Sequence, residues 1–189
     1  LHVAPFDPVI HSSGMAFVRL EAVGERGYAA RLSSIRTLSG ALRAQHLERR
    51  QKGKPSGETF GGVASPVVEL RGAGELGIAP KTGHVLVRYA VDREPWFFRE
   101  DLVAGFDLAL SFENGRLTSA EGEALPMVQL RGGGAVLVEV PRAAVAIEVR
   151  SGQGLSVRRE AVLGWHGRIV PRGLSTHEAP CNQRGLVAF

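Results

Sequence analysis

Gly72, Gly74 and Gly77 stand in LRGAGELG (70–77) in the spacing G-x-G-x-x-G, which at the head of a helix would wrap the pyrophosphate of a dinucleotide. That chemistry requires the third glycine to open a helix, because the free N–H groups of its first turn hold the phosphates. Here Gly77 runs into IAPKTGHVLVRYAV, where Pro80 and Gly83 exclude a helix and strand-like alternation resumes. Gly72 and Gly74 are therefore read as a strand bulge or a close approach of two backbones.

Other residues capable of chemistry are sparse. His177, Glu178 and Cys181 in HEAPC carry metal-donor atoms, but a structural zinc site wants four ligands in paired clusters and this one supplies half of them, even if His166 joined from across the fold. A surface tail is the simpler reading. The six histidines (His2, His11, His46, His84, His166, His177) share no motif, and no G-x-S-x-G elbow, H-E-x-x-H or P-loop occurs. No cofactor, metal or catalytic set is assigned and an enzyme is not expected; a small-ligand-binding protein or enzyme is the alternative that a concave polar pocket with perturbed titrating groups would support. Cys181 is the single cysteine, so no intrachain disulfide forms, which fits a reducing, cytoplasmic setting.

Charge gives the best binding lead. Residues 31–54 carry seven cations (Arg31, Arg36, Arg43, Arg49, Arg50, Lys52, Lys54) against one anion, Glu48, within a chain of net charge +4. If Arg43, Arg49, Arg50, Lys52 and Lys54 share one surface they would contact phosphates, giving salt-dependent binding to nucleic acid or an anionic membrane surface. The plainer alternative is a solvated loop around Lys52-Gly53-Lys54. Phe60 is the one aromatic close by, which argues against a base-stacking platform.

The elements that must carry these residues follow from an internal repeat. VVELRGAGELGI (67–78) lies on MVQLRGGGAVLV (127–138) at a constant offset of 60, with Leu70-Arg71-Gly72 on Leu130-Arg131-Gly132 and Gly74 on Gly134. Val85, Val87 and Tyr89 then match Val145, Ile147 and Val149. Both sets alternate with period two, as strands with one face in a core do. Turns follow at DREP (92–95) and GQG (152–154), and WFFREDLVAGFDLAL (96–110) matches LSVRREAVLGWHGRI (155–169), placing Phe106 on Trp165 as large, core-type aromatics. A weaker third unit is read at 15–40, with a turn at Gly24 to Gly27. Between units, 41–62 holds either a short helix with a narrow Ala41, Leu42, Ala44, Leu47 stripe or a loop with a helical turn. Residues 113–126, which open with Asn-Gly, read as a solvated connection.

With 189 residues, 44% hydrophobic and 22% charged, the chain has the composition of one globular domain, and no apolar run reaches the length of a membrane-spanning helix. The reading is a single all-β domain over 15–172, two packed antiparallel sheets in a sandwich or barrel-like arrangement, with an N-terminal extension (1–14) and a C-terminal tail (173–189). Repeats of this kind leave sheet edges that neighbours cover, so a homo-oligomer or a protein partner is expected.

The stretches GAGELGIAPKTGHVLVRYAVDREPWFFREDLVAGFDLAL, LRGGGAVLVEV and VRREAVLGWHGRIVP together resemble the altered-inheritance-of-mitochondria family of β-proteins, widespread in bacteria. The matching features are Gly72 to Gly74, Leu76 to Pro80 with Gly83, and Ala161 to Trp165. The resemblance spans residues 15–172 and departs at VGERG and RLSS, where the family has further glycine turns. It implies a twisted all-β fold similar to the trp RNA-binding attenuation protein, frequent oligomers, and eukaryotic relatives linked to mitochondrial inner-membrane organisation. For the bacterial relatives it implies no reaction.

Overall fold

The computed structural model describes residues 9–10, 14–21, 26–118, 120, 122, 124–150, 154–175, 177–178 and 185–189. Its strands are β1 (Val9–Ile10), β2 (Ala16–Leu20), β3 (Gly27–Arg31), β4 (Ile35–His46), β5 (Glu48–Gln51), β6 (Lys54–Thr59), β7 (Val67–Ile78), β8 (His84–Val91), β9 (Trp96–Arg99), β10 (Val103–Asp107), β11 (Ser111–Thr118), β12 (Ala124–Arg131), β13 (Gly134–Pro141), β14 (Ser156–Arg158), β15 (Gly164–His166), β16 (Arg172–Gly173) and β17 (Leu186–Ala188). The fold is all-β and its strands pair antiparallel. The main sheet runs β1-β2-β7-β3-β10-β13-β8 with β4 also on β7; smaller sheets are β11-β12-β9-β15, β14-β17-β16 and β5-β6.

Burial explains the central strands. β10 (VAGFD) is buried along its whole length and β13 (GAVLVEVP) at all but its last residue, so both faces are covered and the sequences read as nearly continuous apolar runs. One core cluster centres on Phe60, Phe106 and Phe112, whose ring centroids lie 5.4–6.1 Å apart. A second joins Val18, Leu20, Tyr28, Leu70, Leu76, Ile78 and Leu137. Each such side chain contributes about 1.5–3 kcal/mol of transfer free energy.

The repetition is threefold. Three one-turn 3-10 segments, Leu32–Ser34, Glu100–Leu102 and Arg159–Ala161, each follow an arginine in extended conformation, Arg31, Arg99 and Arg158. Around each turn sits a triplet: β2, β3 and β4; β8, β9 and β10; then residues 142–150 with β14 and β15. Each triplet grips the strand that follows it. β3 and β2 pair with the two halves of β7, as β9 and β8 pair with β12 and β13. The registers coincide: Arg31 opposes Val67, Arg99 opposes Met127 and Arg158 opposes Leu186. Even the bulge recurs, between Ile35 and Thr37 in β4 and between Val103 and Gly105 in β10. The segment read as a weaker unit at 15–40 carries the same turn and register, within β2 to β4.

Several sequence expectations are corrected. Residues 41–62 are neither helix nor loop: β4 pairs with β7 from Ile35 to His46, then β5 and β6 form a hairpin. Pairing along eleven residues of β7 overrides the weak helical stripe, and the sheet itself takes up its leucines, Leu47 in one core cluster and Leu42 against the other. Asn114-Gly115 is not a turn; it lies inside β11, opposite Val128 and Met127 of β12, and the reversal falls after Thr118. Residues 144–150 match β8 in pattern but form no strand, and Val145 and Ile147 are 80% and 60% exposed. Leu186 and Val187, in the stretch read as a tail, are buried in β17.

Candidate functional site

The glycine motif lies within one strand, β7. Gly72 has φ +117°, and a Cβ there would sit 2.2 Å from the Ala41 carbonyl oxygen; one on Gly74 would sit 2.1 Å from that of Ser39. Glycine serves the close approach of β4, and after Gly77 the chain leaves β7 at Ile78 and re-enters a strand at His84 with no helix between. The dinucleotide reading is excluded by geometry.

The basic segment is divided between interior and surface. Arg31 is buried: Nε donates to Val103 O (2.9 Å), Nη1 to Ser65 O (2.7 Å) and Nη2 to Glu100 O. Burial lowers its guanidinium pKa, and Glu100, Asp101 and Glu139 work against that shift. Arg49 pairs with Glu100 Oε2 (2.5 Å) and with Glu58 (3.2 Å), its own side chain only 13% exposed. The second Glu100 oxygen accepts from Gly61 N (2.9 Å), and Oε2 also accepts from Asn114 Nδ2 (3.1 Å). Arg49 is therefore a structural ion-pair partner. Arg50 is half-buried, 5.9 Å from the Phe112 ring centroid, with Nη2 on Gly53 O (2.8 Å).

Lys52 and Gly53, with φ +51° and +76°, form the two-residue turn between β5 and β6. Gly53 N donates to Glu113 (2.8 Å) and Arg50 N to Asn114 Oδ1 (2.9 Å), so the hairpin is fastened to β11. Of the five cations proposed for phosphate, Arg43, Lys52 and Lys54 are exposed.

The other candidates are scattered. His84 faces Thr82 O (3.2 Å), His166 stacks near Trp96 (4.5 Å), and His46 and His177 are exposed. His2, His11 and Cys181 lie outside the described residues. Among the described residues no three His, Cys, Asp or Glu side chains are placed to hold a metal. A shallow open cleft is lined by Gly61, Arg99, Glu100, Asp101, Leu125 and Pro126; both Glu100 oxygens are engaged there, and Arg99 grips Asp101 at 3.0 and 2.7 Å. Phe106 is core, and Trp165 is half-buried, stacked on Phe97 at 4.7 Å.

Glu178 has local partners. It accepts from Ser175 N (3.0 Å), Ser175 Oγ (2.8 Å) and Arg172 (2.9 Å). The Ser175 amide first, then its hydroxyl and Arg172, hold the carboxyl down at about 2. A depressed carboxyl is favourable above its unfolded value and is lost as pH falls toward the folded one. The Glu178 carboxyl is expected to titrate near 2 by NMR, and Ser175→Ala is expected to move it upward; a wild-type midpoint of about 4.3, the free-peptide value, would refute the contact.

What the fold leaves open is a segment with a strand's pattern. Residues 144–150 project without a partner strand among the described residues, Val145 and Ile147 to solvent and Val149 half-buried. Their counterparts β2 and β8 are both paired. The feature missed in the sequence is the arginine before each turn: Arg31-LSS-Ile35, Arg99-EDL-Val103 and Arg158-REA-Val162 share one spacing.

Neither family models nor curated proteins give a match. Among solved structures, the crystal structure of a Streptococcus pyogenes protein matches with a TM-score of 0.69 at 15% identity, over 97% of this chain and 87% of the other. That likeness extends over nearly the whole chain and establishes a shared fold. No described helix is long and apolar enough to cross a membrane.

Proposed function

We propose that this protein is a non-catalytic β module that works by joining copies of itself, in the manner of the altered-inheritance-of-mitochondria family it resembles. The observation that carries this is the uncovered segment 144–150. It has the alternating apolar pattern of a core strand, its two equivalents in the chain are paired, and it holds Val145 and Ile147 in water. An uncovered apolar segment is an unstable surface for a monomer and a ready one for association. The single cysteine and the absence of an intrachain disulfide fit a cytoplasmic setting.

Light scattering on a size-exclusion column, at low and high salt, tests it. The expected result is a salt-resistant species larger than the 20.2 kDa chain, free of nucleic acid by its absorbance ratio. Val145→Glu with Ile147→Glu is expected to shift that species toward monomer without changing the circular dichroism, because both side chains are exposed. A monomer that carries nucleic acid at low salt and sheds it at high salt would overturn the reading and assign the role to Arg43, Lys52 and Lys54.

A further inference from the structure

The three triplets obey two joining rules, and among the described residues both rules are left unfulfilled at the outer edges of the first and third. By the first, the closing strand of each triplet pairs with the middle strand of the triplet before it: β10 with β3 (Gly105 to Ala30, Phe106 to Ala29) and β15 with β9 (Gly164 to Phe98, Trp165 to Phe97). By the second, the arginine of each middle strand reaches across that joint to carbonyls at or beside the next triplet's 3-10 turn. Arg31 bonds Glu100 O and Val103 O, and Arg99 bonds Glu160 O at 3.0 Å.

No described triplet precedes the first, and the outer edge of β4 pairs with no described strand. No described triplet follows the third, and the outer edge of β14 pairs with none either. Leu155 exchanges hydrogen bonds with Phe189, and Arg159 N donates to Gly185 O; the alternation of an antiparallel ladder then turns the Ser156 and Arg158 amides outward. Arg158 has its side chain 66% exposed, with one long ion pair to Glu160 at 3.9 Å. Across the molecule, the exposed Leu32 and Leu38, each 51% accessible, mark the turn and strand of the first triplet.

We infer that these two ends fit one another between copies: the β14 edge of one protomer pairs with the β4 edge of the next, and Arg158 caps the next protomer's turn at Leu32–Ser34. This rests on the self-association proposed above and adds to segment 144–150 a second joint. The internal registers place Leu38 opposite Ser156 and Thr37 opposite Val157, continuing the series Phe106 on Ala29 and Trp165 on Phe97. Because two different edges meet, the contact is head-to-tail and closes into a ring or continues as a filament. One residue departs from the rule: Thr37 stands where the internal joints have Gly105 and Gly164, whose missing Cβ leaves room for the neighbouring strand. Removing the threonine Cβ in Thr37→Gly is expected to tighten the association.

The test has three parts, on the full chain. Ser156→Pro removes an outward amide and none of the β17 bonds; it is expected to give monomers with unchanged circular dichroism. Should that variant misfold, Arg158→Ala replaces an exposed side chain and is expected to weaken association about ten-fold or more, the effect of a charge-assisted hydrogen bond. In a Cys181→Ser background, oxidation of a mixture of Leu38→Cys and Ser156→Cys chains is expected to yield a disulfide-linked dimer containing one of each, which neither gives alone, since paired Cα atoms at about 5.5 Å suit a disulfide. An oligomer that survives Ser156→Pro and Arg158→Ala and yields no mixed disulfide would overturn this joint and leave self-association standing. A monomeric wild type would overturn both.

Discussion

Replacing Glu100 with alanine is expected to cost about 3–5 kcal/mol of folding stability, the usual loss when one member of a buried ion pair is removed. Glu100 is 5% exposed on the turn between β9 and β10. Its carboxylate gathers three separate elements: Arg49 of β5, Asn114 of β11 and the Gly61 amide. Alanine leaves Arg49, 13% exposed, with only its surface partner Glu58, and leaves two donors unmet. A typical domain has about 5–15 kcal/mol to lose, so the variant is expected to unfold at markedly lower urea with an unchanged slope. Glu100→Gln keeps an acceptor for Gly61 and is expected to lie between the two. A loss below about 1 kcal/mol, the worth of a surface pair, would show that the network contributes nothing beyond its surface members.

The second large effect separates two costs of one glycine motif. Gly72 and Gly132 occupy equivalent positions and share an unusual backbone, φ +117° and +112°. Their surroundings differ: a Cβ at Gly72 would lie 2.2 Å from the Ala41 oxygen, whereas at Gly132 the nearest atom is 3.7 Å away. Gly132→Ala therefore bears the conformational strain alone, about 1–3 kcal/mol. Gly72→Ala bears the same strain and also forces β4 off β7, and its denaturation midpoint is expected to fall well below that of Gly132→Ala. Equal losses would mean that the approach of β4 is soft, and the close-packing account of the motif would fail.

The repeat and the all-β character were legible because the chain states them twice, in Leu70-Arg71-Gly72 and Leu130-Arg131-Gly132 and in the alternation around them. The β4 to β6 arm was not. Nearly every residue of β4 is exposed, so no apolar face imprints a period of two; its pairing with β7 is decided by backbone that sequence patterns do not display. Arg31 and Glu100 were invisible for a related reason. Arg31 bonds the carbonyls of Ser65, Glu100 and Val103, and Glu100 accepts from the Gly61 amide and from side chains distant in sequence; no spacing of side chains encodes these. Arg49 was read as a phosphate contact because its charge is plain in the sequence, while its neighbour Glu100 lies 51 positions away. Residues 144–150 misled in the opposite direction: the pattern of a buried strand is there, and the cover is not supplied by the described residues of the same chain.

The interlocking of triplets also fixes the pace at which such a chain reaches its native state. β3 pairs with β7 and β10, and Arg31 bonds carbonyls 69 and 72 positions downstream. Neither of the first two units can complete its hydrogen bonding before the next one has formed, so the molecule has no small, local nucleus of the kind that lets helical bundles fold in microseconds. Topologies dominated by such distant pairings fold in milliseconds to seconds, and during that interval the unmatched edges of early units stand open to other chains. Refolding is expected to be slow and sensitive to protein concentration.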